Sequence, residues 1–206
     1  MSQAILSQKT QSNLETLKQA EILDNFYLVG GTGLALQLKH RKSIDLDFFN
    51  KDEFDTASLI QELKELGSLA VENEAENTLE VDFQGTKITF LNYDHPLLYE
   101  LRAVKGMKVA DFRDIGCMKI TAISSRGSKK DFIDVYFISK KIGLPDLLEL
   151  FEKKYEEVNY TMPHILKSLT YFKQADSEPM PEMKKEVEWQ EVKDFFKKEA
   201  SQLNSA

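Results

Sequence analysis

The chain has 206 residues, 42% of them hydrophobic, enough to bury a sizeable core and close to the size of one domain with an appendage. Its 27 basic and 34 acidic residues give a net charge of −7, which excludes a basic protein that coats nucleic acid and requires any RNA contact to be local. The single cysteine, Cys117, excludes an internal disulfide and a multi-cysteine metal site, and no run approaches the roughly 18 consecutive apolar residues of a membrane span, so a soluble cytoplasmic protein with no membrane association is expected.

Between about Ser7 and Asp24, Leu14, Leu17, Ala20, Ile22 and Leu23 recur at helical spacing and predict an amphipathic helix. Phe26-Tyr27-Leu28-Val29 is a short apolar run stopped by Gly30-Gly31, and Leu34, Ala35 and Leu38 give Thr32 to Lys39 the spacing of a helix. The unit is strand, glycine turn, helix. Ile44-Asp45-Leu46-Asp47-Phe48-Phe49 alternates strictly, predicting a strand with apolar side chains on one face and carboxylates on the other. A helix follows from Asp52 to Leu66, with Gly67 as its C-cap. Strands are predicted over Leu69 to Val71, Leu79 to Phe83 and Lys87 to Leu91, the last two joined by a Gln84-Gly85 turn.

Beyond Pro96 the pattern is mostly helical. Asp111 caps one helix to about Ser125 and Ser128 caps another to about Lys141, followed by helices over Leu144 to Val158, Met162 to Lys173 and Lys185 to Lys198. Ser177-Glu178-Pro179-Met180-Pro181 has the composition of a linker. The expected fold is α/β (α+β): a small mixed β-sheet core over residues 1–100 bearing the site, and a helical region over 101–206 completing it in one compact unit.

The chemistry starts at Asp45 and Asp47. Two residues apart on a strand, they point to one side with Cα atoms about 7 Å apart, a geometry that suits Mg²⁺ or Mn²⁺. Alone, Asp-x-Asp is more often the solvated face of an edge strand. The glycine turn upstream changes the balance, because the N–H groups of Gly30 and Gly31 at a helix start, with the Thr32 hydroxyl, can cradle phosphate. Neither the Rossmann spacing nor the Gly-Lys-Ser/Thr of a P-loop is present. Lys119 falls in one helical row with Ile115 and Ile123, so it is either a snorkelling lysine or a cation that needs an anionic partner. Asp131 and Asp134 share a face of the next helix. Asp131 is equally explained as a first-turn acid favoured by the helix dipole, whereas Asp134, deeper in, is expected to orient the site or act as a base. His40, His95 and His164 are too scattered for a zinc site. Residues 101–141 hold ten Lys/Arg against four Asp, a local +6 from which Arg102, Lys105 and Lys108 could form an RNA track; solvated helix faces explain it equally well.

The run from Tyr27 through Gly30-Gly31-Thr32-Gly33 to His40-Arg41-Lys42-Ser43-Ile44-Asp45-Leu46-Asp47-Phe48-Phe49 resembles the signature of the AbiEii/AbiGii toxin-like nucleotidyltransferases of the polymerase-β-like superfamily. Lys119 to Tyr136, with Lys130-Asp131-Phe132-Ile133-Asp134, resembles the family's downstream lysine and Lys-Asp-x-x-Asp motif. The resemblance covers about residues 26–140. It implies a metal-dependent nucleotidyltransferase that moves an NMP from an NTP to an acceptor, such as the 3′ end of tRNA, as the toxin of a toxin–antitoxin or phage-defence pair with a cognate antitoxin. By the same resemblance Asp45, Asp47, Lys119 and Asp134 are catalytic and Asp45 and Asp47 hold Mg²⁺ or Mn²⁺. Gly30, Gly31, Thr32, Ser43, Lys119, Arg126, Lys130 and Asp131 bind the nucleotide, and His40-Arg41-Lys42-Ser43 could line the triphosphate. A third carboxylate is customary in the superfamily, with Glu80, Asp82 and Asp134 as candidates. Two competing expectations are an inactive NTP-binding module and a protein-modifying AMP or UMP transferase.

Overall fold

Strict alternation builds the centre of the molecule. In the computed structural model, which describes residues 5–203, strand β2 (Leu46–Asn50) buries Leu46 and Phe48 on one face and carries Asp47 and Phe49 on the other. Strands β4 (Thr78–Phe83) and β5 (Thr86–Asn92) do the same with Leu79, Val81 and Phe83, and with Ile88 and Phe90. With β1 (Tyr27–Leu28), β3 (Leu69–Ala75), β6 (Arg102–Val104) and β7 (Met107–Val109) they form a seven-stranded sheet in the order β3-β4-β5-β2-β1-β7-β6. The sheet is mixed: β2 runs parallel to β5 and β1 parallel to β7, while the other neighbours are antiparallel.

The apolar face of the sheet is covered by α1 (Gln8–Gln19), a 3₁₀ turn (Ile22–Asn25) and α3 (Thr56–Leu66), which contribute Leu14, Leu17, Ile22, Leu59 and Leu63. Burying each such side chain stabilises the fold by about 1.5–3 kcal/mol. The second core belongs to α2 (Gly30–Leu38), α4 (Phe112–Ser125), α5 (Lys129–Ile142), α6 (Leu144–Lys154), α7 (Met162–Ser168), α8 (Lys173–Asp176) and α9 (Trp189–Leu203), joined through Ile115, Ile120, Phe132, Val135, Leu147 and Phe196. The fold class is the α/β (α+β) expected, with a mixed sheet and helices after it. Among the described residues no helix is long and apolar enough to cross a membrane.

Several local expectations are corrected. Residues 102–109, assigned to the helical region, form the hairpin β6–β7 and extend the sheet beyond β1. Ile44 and Asp45 precede β2, and Ile44 is 63% exposed, so the apolar face begins at Leu46. Helix α3 starts at Thr56, where Asp55 accepts the Ser58 N–H at 3.0 Å, while Gly67 is its C-cap as expected, in extended backbone with φ 164°. Ser128 is the N-cap residue of α5 as expected, but its hydroxyl goes to Asp131 Oδ2 at 2.6 Å and makes no cap bond to a backbone N–H. The segment expected to be a linker is tied down at Glu178, which accepts the Lys129 N–H at 2.8 Å; just beyond it the Lys42 N–H donates to Glu182 O at 2.8 Å, and the Lys184 and Lys185 N–H groups donate to His40 O at 2.8 and 3.0 Å.

Candidate active site

At the end of β1 the chain enters α2 through Gly30, whose φ of +63° suits glycine. A Cβ there would lie 1.8 Å from Asp47 Oδ2, and one on Gly31 would lie 2.5 Å from Arg41 Nη2 and 3.0 Å from Ser43 Oγ. The protein's own side chains therefore crowd the turn, most tightly at Gly30, where the backbone conformation also favours glycine. Thr32 is fully buried and donates its hydroxyl to the Asp45 carbonyl at 2.5 Å, while the Val29 N–H donates to Asp47 O at 2.8 Å. The expected phosphate donor is thus a clamp that fixes the Asp45–Asp47 segment against the turn.

Both aspartates line a cavity of about 490 Å³ between the sheet and α4, together with Gly30, Gly31, Arg41, Ser43, Lys119, Arg126 and Lys130. Asp45 is half-exposed, with Lys130 Nζ 3.9 Å from its Oδ2. Burial raises the Asp47 carboxyl above the usual carboxylate range, an effect the Lys119 charge opposes and the neighbouring Asp45 charge reinforces.

Asp131 and Asp134 are placed differently. Neither lines the cavity, and both are fully buried on α5 behind its cations. Asp134 accepts the Nε and Nη2 groups of Arg41, each at 2.7 Å, and the Nε2–H of His40 at 2.7 Å, with Lys119 Nζ at 2.9 Å. Asp131 accepts from Lys119 Nζ at 2.7 Å, Arg126 Nε at 2.8 Å and Ser128 Oγ at 2.6 Å. Burial alone would raise both carboxyls. For Asp134, Lys119 and Arg41 overcome it and hold the group well below its ordinary value; for Asp131, Lys119 and Arg126 bring it to about 2. The same pairing keeps Lys119 protonated: burial works against its charge, but Asp134 and Asp131 raise its pKa. Burial lowers the pKa of His40, which leaves a neutral ring whose Nε2–H serves Asp134.

Of the third-carboxylate candidates, Glu80 alone reaches the cavity. It belongs to a cross-strand row with Thr89 and Asp47 and lies 3.1 Å from Lys87 Nζ, which also pairs with Glu72 at 3.0 Å. Asp82 is not among the lining residues and accepts the Gly85 N–H of the β4–β5 turn at 2.6 Å. The basic hairpin is also away from the site. Because β7 runs parallel to β1, with Leu28 opposite Val109, its Lys105-Gly106 tip lies at the far end of the strands from Gly30. There Lys18 Nζ donates to Lys105 O at 3.0 Å and Lys108 Nζ to Asp24 O at 2.6 Å; Arg102, opposite Val109 at the other end of the hairpin, does not line the cavity and binds Asp111 at 2.6 Å. Sequence reasoning underweighted Arg41, whose fork on Asp134 crosses from residue 41 to 134 with no local signal, and overlooked Phe49 and Met118, which line the cavity as ordinary core types.

A divalent cation suits this donor set. Asp45 and Asp47 offer hard oxygen ligands, and the desolvated Asp47 carries an electrostatic cost that a bound cation would relieve. Among the described residues no group of three or more His, Cys, Asp and Glu is gathered for a metal.

The family model of the nucleotidyl transferase AbiEii toxin, of type IV toxin–antitoxin systems, matches residues 14–96 and 92–203. An uncharacterised protein of Aquifex aeolicus (strain VF5) is 36% identical over 203 residues, covering 96% of this chain and 97% of that one. Among solved structures, the nucleotidyltransferase toxin MenT4 of Mycobacterium tuberculosis H37Rv superposes with a TM-score of 0.53 at 14% identity, covering 97% of this chain and 86% of that one. ANT(2″)-Ia, solved in complex with adenylyl-2″-tobramycin, gives a TM-score of 0.53 at 11% identity over 72% of this chain and 98% of that one. At such identities these structures speak for the fold alone.

Proposed function

This chain belongs to the AbiEii nucleotidyl transferase toxin family, and from that premise we propose that it moves a nucleoside monophosphate from an NTP to an RNA acceptor such as the 3′ end of tRNA, with Asp45 and Asp47 holding Mg²⁺ or Mn²⁺. One observation carries the reading: two carboxylates open onto a cavity whose far wall is cationic, while the other two carboxylates of the motif hold those cations in place.

The chain's own residues divide the work. The Gly30-Gly31 turn, Ser43, Arg41, Lys119, Arg126 and Lys130 bind the triphosphate. Asp134 is a positioning residue: it presents the Arg41 fork and Lys119 to the cavity, and its buried, saturated carboxylate fits that role rather than a base. Asp131 positions Lys119 and Arg126 in the same way, with no direct place at the nucleotide. The acceptor oxygen bonds to the α-phosphorus as the α–β bridging bond breaks, pyrophosphate leaves, and the acceptor proton passes to solvent at the open mouth beside Asp45. A bound divalent cation supplies charge neutralisation at the transferring phosphate and makes the attacking hydroxyl more acidic. Exposed Arg126, Lys130 and Lys87 at that mouth, and not the distant hairpin, give the backbone of an RNA acceptor its cationic approach. The family description implies a cognate antitoxin as partner.

The test is incubation of the purified protein and Mg²⁺ with each α-labelled NTP, bulk RNA and cell protein. Label on RNA 3′ ends is expected. Label on protein alone moves the acceptor to protein, and NTP binding without transfer to either makes the chain a binding module.

A further inference from the structure

The cavity changes character along its length. On β2, Phe49 follows Asp47 by two residues and shares its face, about 7 Å further along the strand, and its partner on β5, Leu91, lines the cavity too. On α4 the lining residues pass from Ile115 and Met118 to Lys119, Ala122 and Arg126 at helical spacing. The apolar lining contains no partner for a phosphate, and the cationic lining, with Arg41, Ser43 and Lys130, is where one belongs.

The Phe49 ring is held as a platform. Tyr93 stacks on it with centroids 4.8 Å apart and planes at 28°, and Tyr27 meets it edge-on at 6.3 Å. Tyr93 is itself fixed: its hydroxyl lies 2.7 Å from that of Tyr155, His95 packs edge-on at 5.0 Å, and Lys154 Nζ sits 5.5 Å over its ring. Lys154, fully buried, donates to Asp114 at 2.8 Å and to Pro96 O at 2.5 Å. A ring braced on one side and partly uncovered toward a cavity is a preorganised stacking surface.

We propose that the nucleobase of the donor nucleotide stacks on Phe49, with Leu91, Ile115 and Met118 closing the apolar slot and the triphosphate running toward Arg41, Arg126 and Lys130. The sugar spans the interval between Phe49 and Asp47. This rests on the nucleotidyltransferase reading and adds to it the direction in which the substrate lies. Every base has a π-face, so the platform binds purines and pyrimidines through the same contact.

Calorimetric titration of the full chain in Mg²⁺ with ATP, CTP, GTP, UTP and inorganic tripolyphosphate separates base from phosphate. Phe49→Leu keeps apolar bulk and removes the ring; it is expected to weaken all four NTPs roughly tenfold, the order of one base–aromatic stack, and to leave tripolyphosphate unchanged. Met118→Ala, which spares the aromatic stack, gives the same separation on a smaller scale. Lys130→Ala weakens both ligand types. Equal losses for NTP and tripolyphosphate in Phe49→Leu, or NTP affinity unchanged, overturns the base site. A wild-type chain that binds neither ligand overturns the nucleotidyltransferase reading along with it.

Discussion

Two pairs of aspartates, built from the same residue type at close spacing, sit in opposite electrostatic states. Asp45 and Asp47 open onto the cavity, and burial makes the Asp47 charge costly. Asp131 and Asp134 are fully buried, yet their carboxyls titrate below the ordinary range because Lys119, Arg41 and Arg126 converge on them. The lesson is that carboxylate burial does not mark the reacting group. A saturated carboxylate is used up in holding cations, whereas Asp45 and Asp47, the pair proposed to hold a divalent ion, are left short of positive charge.

The most severe way to break this contrast is Asp134→Ala, which strips the shared anion from Arg41, Lys119 and His40. A loss of about 3–5 kcal/mol is expected from leaving buried charge unpaired, which thermal melting will show as a fall of roughly 6–20 °C. The pH dependence has a definite sign. Asp131 at about 2 and Asp134 below its ordinary value are depressed in the folded state, so their stabilisation is complete above the unfolded value of 3.8 and is lost as the pH falls toward the folded one. Acid melts of Asp134→Ala should therefore show a shallower loss below about pH 4 than wild type. An equal slope would mean that these groups are not what the acid breaks.

Asp45→Asn or Asp47→Asn probes the other side. Transfer should drop about a hundredfold or more, since several kcal/mol of charge stabilisation at the phosphate is at stake. Melting should stay level or rise for Asp47→Asn. Its raised pKa means that ionisation costs stability, a penalty absent below 3.8 and present once the pH exceeds the folded value. A destabilised Asp47→Asn would put this residue in the same class as Asp134. The smallest effect belongs to Thr32→Val, isosteric but unable to donate to the Asp45 carbonyl. A loss of about 1 kcal/mol, with a several-fold fall in transfer, is expected; an unchanged rate would show that Asp45 keeps its place without the clamp.

The contrast was partly legible in the sequence. Alternation over Leu46 to Phe49, the Gly30-Gly31 turn and the Lys119 position are local patterns whose residues line one cavity, whereas Asp134, singled out with them, lies behind its wall. The bonds that decide which carboxylate is free run between residues 41 and 134 or 119 and 134, and no periodicity encodes such pairings. The Lys105-Gly106 hairpin is a different failure. Its φ values, 52° and 74°, nearly repeat the 50° and 74° of Gln84-Gly85, so the turn signal was there, but three-residue strands are too short to show alternation. Pro179 and Pro181 produced the linker expectation because proline marks irregular backbone whether or not that backbone is anchored.

The stretch just after that segment bears on how the protein is made. The loop carrying Arg41 is held by backbone bonds from Glu182, Lys184 and Lys185, and the Arg41–Met183 bridge adds to them. A nascent chain that has released the aspartate strand, the lysine helix and every cationic group of the cavity still lacks the partner of its residue 40–42 loop until about 50 further residues have emerged. The order of synthesis thus delays the finished cavity until the sheet and the helices behind it can already have folded.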